Sequence, residues 1–326
     1  MIMTVEELRK ELPNEKACRR FLEQMIWKNG RVCPHCGCLE SWAIKGSSAR
    51  PGLYECSGCR RQFTVTTKTP MHSTKLPLWT WILAMYYMVH SSKGVSSVFM
   101  GRWLGITQKA AWKLCHAIRE MMDTSHEKSP AVGGVVEIDE KFLGGKPRKQ
   151  KGVVHKRGKG TKKQGILVMV ERQGIVRAEL IDKDSIEAIQ PHVKRHVDSD
   201  SYIMTDQNPA YHSISKDYAG HSYVNHGEEE FARGEVHNNT AESFNAQLER
   251  AKFGVFHWLS KRHMKRYINE VAFRWNHRHP VKNGRGKTVM EPLPVMEQLA
   301  SLLDCAIWRQ VRRGLGGGLR ICSNYV

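Results

Sequence analysis

The residues of this 326-residue chain best suited to chemistry are Asp139, Asp206 and Glu242, with Asn239 beside the last. Asp139 follows the apolar run Val135-Val136-Glu137-Ile138, and Asp206 follows Tyr202-Ile203-Met204-Thr205. Each reads as a carboxylate near the end of a strand. Glu242 lies in His237-Asn238-Asn239-Thr240-Ala241-Glu242-Ser243-Phe244, the opening of a helix, because Asn238, Asn239 and Thr240 are residue types that cap helix N-termini. Helical spacing puts Asn239 and Glu242, three residues apart, on one face. Carboxylates converging from distant segments repel one another, which makes a cation welcome. Mg2+ or Mn2+ takes hard oxygen ligands and keeps part of its water shell, so a few carboxylates suffice. Two such ions, roughly 3.5–4 Å apart, activate a nucleophilic oxygen and stabilise a leaving oxygen during in-line displacement at phosphorus. On this reading Asp139 bridges the ions, Asp206 holds one, and Glu242 or Asn239 holds the other. The charged Glu242 is the electrostatically better ligand.

A second ligand set is sulfur. Cys33-Pro34-His35-Cys36 and Cys56-Ser57-Gly58-Cys59 are two Cys-x-x-Cys knuckles. The two-residue gap lets both sulfurs of a knuckle reach one ion, and four thiolates make the closed tetrahedron of structural Zn2+. The strand-like stretches Trp42-Ala43-Ile44-Lys45, Leu53-Tyr54-Glu55-Cys56 and Arg60 to Val65 complete a zinc ribbon, in which the metal replaces a core too small to stand alone. Cys38 and His35 fit the ligand spacing less well. Cys18, Cys38, Cys115, Cys305 and Cys322 show no pairing, and an odd total of nine argues against a disulfide framework.

The elements that must position these groups follow from pattern. Residues 1–27 suggest one or two short helices and residues 76–90 an apolar, buried one. Residues 97–104 and 108–122 are helical around the turn Gly105-Ile106-Thr107, a helix-turn-helix pattern with Gln108, Lys109 and Lys113 opening the recognition helix. Residues 123–134 read as a linker. Period-two alternation in residues 135–140 puts Glu137 and Asp139 on one face and Val136 and Ile138 on the other. Residues 146–163 form a basic loop, with Lys149 and Arg157 among its phosphate-tracking candidates. A hairpin over 165–171 and 175–181, a helix over 184–197, strands over 201–206 and 222–226, and intervening helices complete the order of a ribonuclease H-like α/β fold. An amphipathic helix over 261–278 carries Lys261, Arg266 and Arg274 on faces expected to meet DNA. The division expected is 1–70 N-terminal helices and zinc ribbon, 71–130 helix-turn-helix, 131–282 catalytic domain, and 283–326 C-terminal tail.

The chain-wide balance names the partner class. Lys and Arg total 51 against 32 Asp and Glu, a formal net charge of +19. Such a surplus suits nucleic acid. No apolar run approaches membrane-spanning length, and the charged first residues lack a signal-peptide core, so no membrane partner is expected and the protein reads as cytoplasmic.

On these motifs the chain resembles the bacterial insertion-sequence transposases of the DDE class with an N-terminal zinc ribbon, the ISXO-type family. The likeness spans residues 16–279. It rests on the cysteine knuckles, Glu137-Ile138-Asp139-Glu140 with Gly144-Gly145, Thr205-Asp206 and His237 to Glu242. It continues through Gly254-Val255-Phe256-His257-Trp258-Leu259-Ser260 and Tyr267-Ile268-Asn269-Glu270, then Phe273-Arg274-Trp275-Asn276-His277-Arg278. The resemblance implies a ribonuclease H-like catalytic domain preceded by a zinc ribbon and a helix-turn-helix. It implies DNA cleavage and strand transfer with Mg2+ (or Mn2+), acting on the element's terminal inverted repeats and on target DNA. It also implies a homo-oligomer in the synaptic complex, in the nucleoid. The family's third active-site position is often Asn and falls on Asn239. Where the family carries Lys-Arg one turn further along, this chain has Glu249-Arg250, which leaves Arg250 or Lys252 for end recognition. His257 reads either as a contact near the scissile phosphate or as a helix cap. Glu249 also keeps open a second reading, a DNA-binding regulator derived from a catalytically inactive transposase, and a plain nuclease of the same fold is a third.

Overall fold

A computed structural model of the protein describes residues 3–46, 49–123, 130–145, 152, 163–208, 211, 213, 215–224, 232–313 and 319–322. They form two compact units, one of residues 1–122 with 293–326 and one of residues 123–292.

The first unit opens on two capped helices. In α1 (Val5–Glu11), Thr4 and Glu7 form a reciprocal capping box, and in α2 (Glu15–Ile26) the Asn14 side chain accepts from the Ala17 amide. Strands β1 (Ser41–Ala43), β2 (Tyr54–Cys56) and β3 (Gln62–Phe63) pair antiparallel in that order. Three helices follow: α3 (Leu78–His90), α4 (Ser97–Leu104) and α5 (Gln108–Met121). Gly105 ends α4 in the left-handed conformation at φ 65°, which favours glycine, and the Thr107 hydroxyl accepts from the Ala110 amide to start α5.

The second unit is a layered α/β structure. Its strands are β4 (Val135–Leu143), β5 (Gln164–Glu171), β6 (Val176–Ile181), β7 (Tyr202–Asp206) and β8 (Gly220–Val224), with α6 (Ile186–His196) between β6 and β7. The sheet order is β6-β5-β4-β7-β8. The first three strands are antiparallel neighbours, and β7 and β8 then run parallel to β4. A small hairpin, β9 (Ala232–Arg233) with β10 (Val236–His237), leads into α7 (Asn239–Ala251). A π-helical turn, Lys252–Phe256, a short 3-10 turn, Lys261–His263, and α8 (Met264–Asn276) follow. The hairpin β11 (Arg278–Lys282) and β12 (Thr288–Pro292) ends the unit.

Alternation sorts the core. Val136, Ile138, Leu167, Met169 and Ile181 are buried against Ile189 and Val193 of α6. On the other face Ile166, Val168, Val170, Val176 and Ala178 pack on Phe244 and Leu248 of α7 and on Ile268, Val271 and Trp275 of α8. Each fully buried apolar side chain contributes about 1.5–3 kcal/mol, enough in sum to fix both helices to the sheet.

Several expectations are corrected. Strand β4 runs on to Leu143, because Lys141, Phe142 and Leu143 stay paired with β5. Between β7 and β8, where a helix is expected, the described residues Tyr211 and Ser213 are helical, and a 3-10 turn, Ser215–Asp217, follows. Arg266 and Arg274 do not face outward. Arg266 is buried and donates to His263 Nδ1 at 2.6 Å, and Arg274 donates to the buried Glu270 carboxylate at 2.8 Å. The tail is not a separate piece. Helix α9 (Val295–Asp304) packs on α2 and α3, and Arg309 donates to the Glu120 carbonyl at 2.7 Å. Beyond α9, Trp308 takes φ 65° and its indole donates to the Pro34 carbonyl, and the chain continues as β13 (Gln310–Arg313), paired with β14 (Leu319–Cys322).

Candidate active site

Strand β7 pairs with β4 only at Val135, Val136 and Glu137. Beyond residue 137 the two strands part, and the carboxylates lie around that opening. Asp139 points to the α7 side, Glu140 to the side of Tyr211, and Asp206 ends β7. One carboxylate oxygen from each of the three lies within 4.8 Å of the others.

The surrounding side chains hold this group in place. Asn245 of α7, nearly fully buried, donates from Nδ2 to Asp139 Oδ2 at 2.7 Å, and the Glu140 amide donates to Asp139 Oδ1 at 2.8 Å. The Asn208 amide donates to Asp206 Oδ1 at 3.1 Å, and its side chain donates to Asp184 Oδ1 at 2.7 Å. The buried Tyr211 hydroxyl donates to Glu140 Oε1.

Burial, then the Asp206 charge, pushes the Asp139 carboxyl up to about 6, and burial with the neighbouring acids pushes Glu140 up to about 8. Three hard oxygen donors at this spacing fit a small divalent cation. The sign of the pH effect follows. Both carboxyls bind protons more tightly folded than unfolded, so their ionisation costs stability as pH rises from about 4 to about 8. Thermal unfolding without divalent ions is expected to move to lower temperature across that range. Glu140→Gln should flatten the slope, and millimolar Mg2+ should restore stability at the alkaline end. A melting temperature with the same pH slope in Glu140→Gln as in wild type would contradict this.

The start of α7 is anchored unexpectedly. None of the capping-type residues Asn238, Asn239 or Thr240 caps it by side chain. The fully buried Glu137 of β4 does so: Oε2 accepts from the Thr240 and Ala241 amides at 2.6 and 3.0 Å, and Oε1 from the Thr240 hydroxyl at 3.0 Å. Arg172 Nε donates to the same carboxylate at 2.7 Å, and Asn238 Nδ2 donates to the Ile138 carbonyl at 3.1 Å. A carboxylate at a helix N-terminus is favoured by the helix dipole and by the otherwise unsatisfied amides. Glu137→Ala removes one partner of a buried ion pair and is expected to cost about 3–5 kcal/mol, read as a lower chemical-denaturation midpoint. A loss below about 1 kcal/mol would show the anchor to be dispensable.

The expected site residues are distributed as follows. Asp139 and Asp206 come together. Glu242 and Asn239 are exposed on the first turn of α7. The Glu242 charge adds to the upward shift of Asp139, but among the described residues the close acidic group is Asp139, Glu140 and Asp206. Lys109, Lys113, Arg250, His257 and Lys261 are exposed, and Lys149 and Arg157 lie outside the described residues. Glu249 pairs with Lys141 at 2.9 Å, and Lys252 Nζ donates to the Gly144 carbonyl at 2.8 Å. Sequence reasoning missed Glu140, whose side chain alternation sends to the opposite face from Asp139. It missed Asn245, which helical spacing from Glu242 could have found. No pattern marked Tyr211.

In the first unit the four knuckle sulfurs also lie within 4.8 Å of one another, with Cys36 Sγ 3.5 Å from Cys56 Sγ and Cys33 Sγ 3.8 Å from Cys59 Sγ. A tetrahedron with metal–sulfur bonds of about 2.3 Å has sulfur–sulfur edges of about 3.8 Å, so the donor set fits one cation. A hydrogen bond from the Arg61 amide holds the Cys59 thiol down at about 7. His35 and Cys38 are engaged elsewhere, with the Gln62 carbonyl and the Ser57 hydroxyl.

These two donor sets, on a mixed α/β unit and a small three-stranded ribbon, define a protein with two candidate cation sites. Residues 131–276 match the ISXO2-like transposase domain, and residues 13–62 match the transposase zinc-ribbon domain. The chain belongs to this family of insertion-sequence transposases. It is 27% identical over 295 residues to a protein in transposable element ISH50 of Halobacterium salinarum, covering 86% of this chain and 98% of that one. Among solved structures it is similar to the Mos1 strand transfer complex and to the Mos1 transposase paired-end complex with the left transposon end. Each shows 12% identity and a TM-score of 0.23 over 60% of this chain and 76% of that one. Among the described residues no helix is long and apolar enough to cross a membrane.

Proposed function

We propose that this transposase is a DDE-type enzyme that cuts and rejoins DNA at Asp139 and Asp206. The observation that carries the reading is the meeting of these carboxylates, with Glu140, within 4.8 Å where β4 and β7 diverge. The strand order β6-β5-β4-β7-β8, three antiparallel strands followed by two parallel ones, supports a ribonuclease H-like catalytic domain. Magnesium or manganese, when bound, supplies activation of the attacking oxygen and stabilisation of the leaving oxygen. Asp139 and Asp206 hold the cations, and Asn245 and Asn208 fix the directions in which those carboxylates point. Glu242, exposed on α7, is the proposed third ligand, with Asn239 beside it. Glu140 is engaged with Tyr211 and adds a third carboxyl oxygen beside Asp139 and Asp206.

Cys33, Cys36, Cys56 and Cys59 hold structural zinc. The ribbon and the pair α4–α5, read as a helix-turn-helix with Lys109 and Lys113 outward, bind the element's terminal inverted repeats. Arg250, His257 and Lys261 contact DNA beside the catalytic unit. The enzyme acts in the cytoplasm, on the nucleoid, as a homo-oligomer that pairs two ends.

The test is a cleavage and joining assay on duplexes carrying the element's end. The expected result is Mg2+-dependent nicking followed by joining to target DNA. Tight end binding with no nicking would instead support the regulator reading, and nicking without joining a nuclease.

A further inference from the structure

The turn between α7 and α8, Lys252-Phe253-Gly254-Val255-Phe256-His257-Trp258-Leu259, treats its aromatic rings unequally. Phe256 turns inward, its ring 4.6 Å from that of Tyr267, and Leu259 is buried beside it. Phe253 and Trp258 stay out, 62% and 70% exposed, and Trp258 is the most exposed large apolar side chain among the described residues. Rings of this size in water forgo a large burial energy, so an exposed pair on one short turn marks a contact surface.

The turn is also built to hold that arrangement. The His257 amide donates to the Lys252 carbonyl, closing a π-helical turn, and His257 itself takes φ 55°, an unfavourable conformation for a β-carbon residue. π-turns and left-handed non-glycine residues are costly features that cluster at functional sites. The turn abuts the end of the strand that carries Asp139 and Glu140. Lys252 donates to the Gly144 carbonyl, and the Trp258 indole nitrogen lies 4.0 Å from where a Gly145 side chain would begin. Gly144 lies five residue steps beyond Asp139, just past the end of β4, a span of about 17 Å, or about five base steps of duplex DNA. Lys261 and Arg262, both exposed, follow directly in the chain and supply positive charge for phosphates.

We propose that Phe253 and Trp258 form a stacking platform for one unpaired nucleobase of the DNA end, held out of the duplex within a few steps of the cut phosphate. The inference rests on the DNA-cleaving reading above. Aromatic rings accept any base face, so the platform would act through unpairing rather than sequence. Cations beside the rings favour nucleic acid over an apolar protein face.

Photo-crosslinking tests this without relying on cleavage. 5-Iododeoxyuridine is placed at each of about eight positions around the cut in an end duplex bound to the full chain. The expected result is one position that crosslinks to the peptide containing Phe253 and Trp258. In parallel, Trp258→Ala should slow cleavage of a fully paired end about 5- to 100-fold, the range of one lost base stack. Trp258→Phe should recover most of that rate, and a mismatch at the crosslinking position should relieve the Trp258→Ala defect. Crosslinks only to other peptides, or a Trp258→Ala rate that no mismatch improves, overturn the platform. Loss of self-association by Trp258→Ala with normal crosslinking elsewhere would overturn it in favour of a protein contact. A wild-type chain that never cleaves strikes the catalytic reading instead, while the crosslink still decides the platform.

Discussion

Asp206→Asn is expected to leave end-DNA affinity within about threefold of wild type and to lower single-turnover cleavage by at least about 10³-fold. The substitution is nearly isosteric, so the strand end and the Asn208 contact to the side chain keep their geometry. The cost is electrostatic: the proposed cation site loses one of its anionic ligands, worth several kcal/mol of transition-state charge stabilisation. Asp206 is a cleaner target than Asp139. An amide at position 139 could turn its nitrogen toward Asn245 Nδ2, which now donates to Asp139, and set two donors against each other. Glu242→Gln and Glu140→Gln, compared in the same assay, separate the proposed third ligand from the Tyr211-bound carboxyl. A fall with Glu242→Gln as large as with Asp206→Asn supports Glu242, and a fall confined to Glu140→Gln assigns the role to Glu140. Normal cutting by Asp206→Asn would remove the mechanism.

Cys56→Ser is expected to have the other large effect, and a different one. The ribbon's buried apolar cluster is Cys33, Cys56 and Phe63, with Trp27, Tyr54 and two further cysteines packed around it. A core that small cannot hold three short strands without a cross-link. Structural zinc supplies about 10–16 kcal/mol to such units, so loss of one thiolate should unfold the ribbon. Bound zinc, counted by elemental analysis, should fall from about one per chain to near zero. End-DNA affinity should drop by about 100-fold or more if the ribbon carries end recognition, whereas Asp206→Asn keeps its zinc. Cys38→Ser is the control: Cys38 contacts Ser57 and lies outside the four-sulfur group, so its zinc content should be unchanged. Equal zinc loss in both cysteine variants would contradict the assignment.

The parts of this architecture that were legible in sequence are those written as short-range pattern. The two knuckles gave the sulfur cluster, alternation placed Glu137 and Asp139 on one face, and the apolar run ending in Thr205-Asp206 gave the last residue of β7. What was hidden depends on contacts between distant elements. Glu140 belongs to the opposite face from Asp139 and joins it only because β7 stops pairing after residue 137. The Glu137 cap could not be read from the capping residues of α7, since the group that satisfies those amides lies about one hundred positions earlier. Basic residues on the 261–278 helix read as a DNA face, but Lys265 donates to Glu179 at 2.7 Å, and Arg266 and Arg274 are likewise turned to partners in the fold. Burial alone would raise the Glu179 carboxyl; the His196 hydrogen bond and the Lys265 charge overcome it and hold it at about 2. The tail carried no motif, and only packing on α2 and α3 shows where it belongs.

The most direct test of the central claim is where manganese binds. Crystals of the full chain soaked in Mn2+ should show an anomalous peak within about 2.0–2.4 Å of carboxylate oxygens of both Asp139 and Asp206, and the peak should vanish in Asp206→Asn. Manganese bound elsewhere with those two carboxylates bare, or a peak unchanged in the variant, would contradict the account.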